Sequence, residues 1–271
     1  MVTTTDLVSY YKCDTNGTFT DSHGSNTGTI DGATYTASGK INGGYTFDDT
    51  NDWVDVSNII NDVSSDTSGT ISLWFKTPAT LTVNKALICC SDFSSGNYVM
   101  LFLYPNKLAY YFNTLSDSTH NRAIGGTTLS ANTWYHVVWR SDGTNTDIYL
   151  NGSKETLSFT VGSQQGSWMN DLNANWDTVA IGCLRRASST YFIGGTIDEI
   201  GWWSRALTTT EITDLYNSGS GLAYPFSAAT NIQVNIADTW KTVDSMKINI
   251  SDTWKTVSAV KQNIGDTWKT I

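Results

Sequence analysis

The chain has 271 residues, 11 of them Trp and 13 Tyr, and a formal net charge of -9. That length allows one large β-sandwich with an appendage, or two modest domains. The acidity argues against a nucleic-acid partner, which requires clustered Lys and Arg, and no apolar run approaches the roughly 20 residues a membrane helix needs.

The opening Met1-Val-Thr-Thr-Thr-Asp-Leu-Val-Ser9 has no basic or apolar signal segment, so no signal peptide is expected. Short β runs separated by turn clusters then fill the first 226 residues. Gly69-Thr-Ile-Ser-Leu-Trp-Phe-Lys76 alternates, with Ile71, Leu73 and Phe75 on one face. Tyr98-Val-Met-Leu-Phe-Leu-Tyr104 is nearly continuously apolar and predicts a central strand. Pro105-Asn106 turns it into Leu108-Ala-Tyr-Tyr-Phe112. Trp134-Tyr-His-Val-Val-Trp-Arg140 and Asp147-Ile-Tyr-Leu150 flank a hairpin connection, and Asn151-Gly152 is a second turn signal. One helix is expected: Thr208 and Glu211 have capping-box spacing, Ile212, Leu215 and Tyr216 share a face, and Asn217-Ser-Gly219 ends it. Strands at such spacing predict an all-β, two-sheet antiparallel sandwich rather than βαβ units.

The four cysteines, Cys13, Cys89, Cys90 and Cys183, form no CxxC pair, which disfavours zinc. They are either free buried thiols or include a Cys13–Cys183 bridge.

From Asn231 the text becomes repetitive. Asn235-Ile-Ala-Asp-Thr-Trp-Lys-Thr-Val243 recurs at Asn249 and Asn263, placing Trp240, Trp254 and Trp268 at a period of fourteen. Five-residue strands alternate with two-residue turns such as Ala237-Asp238 and Gly265-Asp266, which reads as a β-meander of six strands. It would carry apolar residues on one face and Trp on the other. Such a sheet cannot bury both faces alone, so it is expected to pack on another body or on copies of itself.

Four stretches resemble the laminin G-like (concanavalin A-like lectin/glucanase) jelly-roll family. They are Leu7–Asp14 with Asp21-Ser-His-Gly-Ser-Asn26; Gly43–Val56; Trp134–Val138 through Ile148–Gly152; and Ile197–Leu207 with Glu211–Tyr216. The resemblance implies a jelly-roll sandwich over residues 1–226, followed by the repeats at 227–271. The repeats resemble Asn-Ile-Gly-Asp-x-Trp-Lys tails of phage virion proteins. That resemblance implies assembly in the host cytoplasm and a place on the virion, with Trp240, Trp254 and Trp268 mediating attachment or homo-oligomerisation, a trimer by analogy with fibres.

Candidate chemistry follows from residue type. Asp198-Glu199 invites a glycoside hydrolase reading, but neighbours in a regular strand face opposite ways and cannot flank one substrate. No Gly-x-Ser-x-Gly elbow is present, and His136 reads as a structural strand residue, so no catalytic residues are assigned. Structural calcium is the favoured metal: the loop Asp21–Asn26 supplies compact oxygen donors, and the family resemblance brings Asp198 towards it. The alternative is that Asp21 and Asn26 only form Asx-turns. Trp168 and Trp176, in the polar loop Gly162–Asp177, are candidate glycan platforms or inward anchors. One of Trp202 and Trp203 should face outward; Trp202 is the further glycan candidate, unless the outward indole lies under the helix. Trp53, Trp74, Trp134 and Trp139 read as core. The leading expectation is a non-catalytic phage virion-associated adhesion module. Its partners would be glycans or a receptor on a cell or mucus surface, and other virion proteins through the repeats. A purely structural virion decoration or fibre protein is the alternative, and a glycoside hydrolase is disfavoured.

Overall fold

Two β-sheets packed face to face make up the larger part of the computed structural model. It describes residues 2–94, 96–114, 120–172 and 176–226 with side chains, and the backbone of six strands between 232 and 270. The chain divides into two units, Met1–Phe226 and Ser227–Ile271. In the first unit the strands are β1 (Leu7–Tyr11), β2 (Thr29–Asp31), β3 (Thr34–Thr36), β4 (Gly44–Asp48), β5 (Trp53–Asp55), β6 (Gly69–Lys76), β7 (Lys85–Ser91), β8 (Tyr98–Leu103), β9 (Leu108–Asn113), β10 (Asn121–Gly125), β11 (Trp134–Ser141), β12 (Thr146–Leu150), β13 (Ser153–Lys154), β14 (Leu157–Val161), β15 (Thr178–Ile181) and β16 (Gly194–Trp203). The helices are the single turn α1 (Ile60–Val63) and α2 (Thr209–Tyr216). One sheet runs β13-β12-β11-β6-β16-β4-β3, with β1 also paired to β16; the other runs β14-β10-β9-β8-β7-β15-β5-β2. Sequence-distant neighbours, such as β6 between β11 and β16, give the two-sheet sandwich that the strand runs predicted, in the jelly-roll form that the family resemblance implied.

Period-two alternation builds the core. Ile71, Leu73 and Phe75 of β6 meet Val99, Leu101 and Leu103 of β8 and Leu108, Tyr110 and Phe112 of β9 in one buried cluster. His136 is buried in β11, as a structural residue should be, with Nε2 2.9 Å from Ser72 Oγ. The outward face of the first sheet is apolar too, and α2 covers it. Leu207, Ile212 and Leu215 pack on Tyr10, Val138, Tyr149 and Trp203, joined by Tyr224 and Phe226. The helix starts where its capping box predicted: Thr208 Oγ1 accepts from Glu211 N at 3.3 Å and Glu211 Oε2 accepts from Thr208 N at 2.9 Å. It stops at Asn217, whose φ of 46° is left-handed.

Three tryptophan expectations are corrected by this packing. Trp202 points into the core, while Trp203 lies under the helix. Trp168 is fully buried, its ring 5.0 Å from that of Trp139 and so close to Gly69 that a Cβ there would meet the indole nitrogen at 2.2 Å. Trp176 is also buried in the core cluster. The Gly162–Asp177 loop is long because it must carry two indoles inward, and neither they nor Trp202 can offer a ring to a ligand. All four cysteines are free and buried, so the Cys13–Cys183 bridge is not formed.

In the second unit the described strands pair as three hairpins: Ile232–Ile236 with Thr239–Val243, Lys247–Ile250 with Thr253–Thr256, and Lys261–Ile264 with Thr267–Thr270. Each places Asn opposite Trp: Asn235 with Trp240, Asn249 with Trp254, Asn263 with Trp268. The expected turn residues, and the side chains of these strands, lie outside the described residues.

Strand β16 carries the buried carboxylate pair. Its pairing to β6 slips between Asp198 and Gly201, and Glu199 sits at a left-handed φ of 49°, so the regular alternation assumed from sequence breaks here. Asp198 and Glu199 are 0% and 2% exposed. Asp198 Oδ2 accepts from Lys40 N at 2.8 Å and Ile41 N at 2.9 Å, and Glu199 Oε2 accepts from the Tyr10 hydroxyl at 2.5 Å. Burial pushes Glu199 up to about 8, opposed by the Tyr10 hydrogen bond and reinforced by the charge of Asp198. Burial likewise pushes Asp198 up to about 7, against its backbone donors.

The unfolded carboxyls ionise near pH 4. The folded protein therefore holds extra protons from about pH 4 to 8, and stability falls as pH rises through that window. His136, held down to about 3 by burial, acts in the opposite sense, but only below its unfolded value of about 6.5. The interval from about pH 6.5 to 8 thus isolates the carboxylates. Glu199→Gln is expected to flatten the decline in melting temperature across it. A slope identical to that of the parent protein would show that Glu199 is already ionised.

Candidate functional site

Alternation also decides what the second sheet shows on its outward side. With Val99, Leu101 and Leu103 inward, β8 turns Tyr98, Met100 and Phe102 outward, and β9 turns Ala109, Tyr111 and Asn113 the same way. Cross-strand register aligns these into rows. Ser91 lies opposite Tyr98 and Tyr98 opposite Asn113; Cys89 lies opposite Met100, Met100 opposite Tyr111, and Tyr111 opposite Arg122. Cys89, Tyr98, Met100, Phe102, Ala109 and Leu184 form a small buried cluster, with Tyr104, Tyr111 and Ile124 half-buried against it.

Long polar side chains roof this cluster. The Arg122 guanidinium lies 5.1 Å from the Tyr104 ring centre and 5.6 Å from that of Tyr111, and its Nε donates to Thr160 Oγ1 at 2.7 Å. Arg186 lies 5.2 Å from the Tyr98 ring centre. Between the two arginines, Tyr98 and Tyr111 meet edge to face at 5.6 Å. The Tyr111 hydroxyl is 2.8 Å from His120 Nε2, and Asn113 Nδ2 donates to Gly96 O at 2.8 Å. Towards β5, Arg185 stacks 3.9 Å over Trp53, making that indole part of the surface rather than of the core, and 5.3 Å from the exposed Phe93. At the other end a cleft opens among Tyr104, Lys107, Ile124 and Ser158. Each cation–ring contact contributes about 0.5–1 kcal/mol, enough to hold the side chains over the rings and little enough for a ligand to replace. Half-buried rings beside hydroxyl, imidazole, amide and guanidinium groups offer apolar contact and directional hydrogen bonds in one place.

None of these residues stood out in the sequence. Reading Tyr98–Tyr104 as a continuous apolar run concealed that every second residue faces outward, and only the strand register brings Arg122 and Tyr111 side by side.

Of the expected calcium ligands, Asp21 and Asn26 share one turn while Asp198 serves another loop. Asp21 Oδ1 accepts from Tyr10 N at 3.0 Å, His23 N at 3.0 Å and Gly24 N at 2.9 Å, while Oδ2 accepts from Asn26 N at 3.0 Å. Burial opposes its ionisation, but these donors together hold the carboxyl below its ordinary range. Asn26 Nδ2 donates to Ser9 Oγ and Asp62 Oδ2, both at 2.9 Å. Asp198 instead caps the loop at Lys40 and Ile41. Calcium needs six to eight oxygen ligands, and the two oxygens of Asp21 are already directed at four N–H groups of its own turn and of β1. The donor set does not fit the ion; it fits the Asx-turn alternative. Among the described residues no group of three or more His, Cys, Asp or Glu is placed to hold a metal, and no helix is long and apolar enough to cross a membrane.

The two-sheet topology and the open strand face place the chain in the class of lectin-type jelly-roll sandwiches. The chain belongs to the concanavalin A-like lectin/glucanases superfamily, whose laminin G-type family model matches residues 48–213. No curated protein sequence matches it. Among solved structures, the fold is similar to a CBM40 module of the Ruminococcus gnavus IT-sialidase bound to alpha2,3 sialyllactose (TM-score 0.55, 16% identity, 66% of this chain and 96% of that one). It is also similar to domain 4 of AbnA, an extracellular arabinanase from Geobacillus stearothermophilus, in complex with arabinotriose (TM-score 0.52, 19% identity, 77% and 97% covered). A Trypanosoma rangeli sialidase shares the fold over 80% of this chain and 34% of its own (TM-score 0.57, 13% identity).

The occupied donors of Asp21 lead to a measurement. Asp21→Asn leaves one acceptor oxygen where two served four donors, and should cost about 2 kcal/mol, or about 4–8 °C in a domain of this size. Calcium or a chelator should leave the melting temperature of the parent protein unchanged. A calcium-dependent rise reversed by chelator would restore the metal site.

Proposed function

We propose that the chain is a non-catalytic glycan-binding module, and that its binding surface is the outward face of the second sheet around Tyr98, Tyr104, Tyr111 and Arg122. The observation that carries this reading is the roofed aromatic row. The half-buried rings of Tyr104 and Tyr111, with the edge of the more buried Tyr98 beside them, lie next to hydrogen-bonding groups and under a guanidinium held by weak cation–ring contacts. The saccharides held by the similar modules, sialyllactose and arabinotriose, support a sugar as the ligand class. The buried carboxylate pair of β16, Asp198 and Glu199, is sealed from solvent, which supports binding without hydrolysis there. We place the module on a phage virion, with the repeats of the second unit as its attachment or oligomerisation segment; their Trp period supports this.

Two measurements test the reading. On a glycan array, Tyr111→Ala should lower binding at least about tenfold, equivalent to about 1.4 kcal/mol, with the melting temperature little changed. Undiminished binding would move the site elsewhere. Light scattering on a chain ended after Phe226 should give a folded monomer where the full chain is an oligomer. The same mass per assembly unit in both would remove the role given to the repeats.

A further inference from the structure

The protein is acidic overall, yet three of its five arginines, Arg122, Arg185 and Arg186, lie on this one strand face. The other two are neutralised: Arg140 pairs with Asp147 and Asp142, and Arg205 with Glu211. The three on the face form no ion pair among the described residues. Arg122 spends one N–H on Thr160. The Arg186 Nε is buried without a hydrogen-bond partner. Burying a charged donor unpaired is costly, and a structure that only needed to cover Met100 and Phe102 could have used aliphatic side chains.

The nearby carboxylates serve other groups. Asp177 accepts from Phe93 N and Thr178 Oγ1, Asp92 from Ser94 N and Oγ, and Asp55 from Ser57 N. Lys107 adds a further cation at the cleft beside Tyr104. Arg122 and Arg186 therefore flank the Tyr98–Tyr111 pair with the Nη ends of two guanidinium groups that form no ion pair among the described residues, and paired Nη donors suit bidentate capture of a planar anion.

Resting on the glycan-binding reading above, we propose that the ligand of this face is an anionic saccharide whose carboxylate is taken by Arg122 or Arg186 while its ring lies against Tyr111 and Tyr104. A sulfate ester presents related chemistry, and the test separates the two sources.

Calorimetry on the full chain would compare trigalacturonate with its methyl ester, sialyllactose with lactose, and sulfated lactose with lactose. The carboxylated member of a pair should bind at least about tenfold tighter than its neutral counterpart, and more weakly as salt is raised. Arg122→Gln and Arg186→Gln should remove that preference while the melting temperature holds, and Arg122→Lys should restore part of it. A preference for sulfated lactose alone would support an anion and assign the source to the ester. Equal affinity for charged and neutral members would overturn this inference and leave the glycan-binding reading intact. Absence of binding to the charged pairs and to a broad neutral glycan array would overturn both. If Arg186→Gln unfolds, Arg122→Gln and the salt dependence still decide.

Discussion

A strand in a two-layer sandwich has two faces, and only one can enter the shared core. Here both sheets carry apolar residues on their outer faces as well, so each needs a second cover. The first sheet receives a permanent one, because α2, Tyr224 and Phe226 close over Tyr10, Val138 and Trp203. The second receives no helix: Leu184, Ile124 and tyrosine side chains pack with Met100 and Phe102, and arginines lie over the tyrosine rings. This difference gives the first face a part in stability and leaves the second as the face proposed for recognition. Ligand contact can replace cation–ring contacts worth about 0.5–1 kcal/mol each, whereas opening the first face would require stripping a helix from its core.

The fold was legible because its signals are local. The run Gly69–Lys76, the hairpin around Ser141–Thr146 and the capping box at Thr208 each carry their own period or turn chemistry, and the structure places β6, β11, β12 and α2 there. The site was not legible, because it depends on register between strands: Tyr111 gains its meaning from Arg122 opposite it, eleven residues on in the chain. Tryptophan drew attention in polar loops, yet Trp168 and Trp176 were anchoring those loops. A large ring in a long loop can hold the loop down as readily as hold a ligand, and composition does not distinguish the two. The loop Asp21–Asn26 was ambiguous for a related reason. The same Asp and Asn that could ligate a cation also satisfy a tight turn, and only the four N–H groups aimed at Asp21 decide between them.

Charge is distributed to match this division. Carboxylates beneath the first sheet are buried and pushed towards neutrality, and Asp198 and Glu199 tie β16 to the loop at Lys40 and to Tyr10. That arrangement trades stability at alkaline pH for a fixed bulge, and the bulge moves the register on which Gly201, Trp202 and Trp203 then pair with β6. Remote from this, the second sheet gathers unpaired guanidinium groups on an otherwise acidic molecule. Guanidinium groups without a carboxylate partner on an acidic body would draw an anion towards themselves under the proposed reading.

A face of this kind, open and lined by side chains rather than enclosed, buries little of a saccharide, so the proposed module would bind single sites weakly. Weak sites become effective when several act together, because the second contact is intramolecular once the first has formed. The proposed roles of the two units therefore depend on each other. Three hairpins with the same Asn–Trp register are a repeated element, and under the proposed role repetition is what a multivalent display needs from its anchor. The binding face would set which sugar is chosen, and the number of copies held together by the repeats would set whether the choice has consequence at a cell surface.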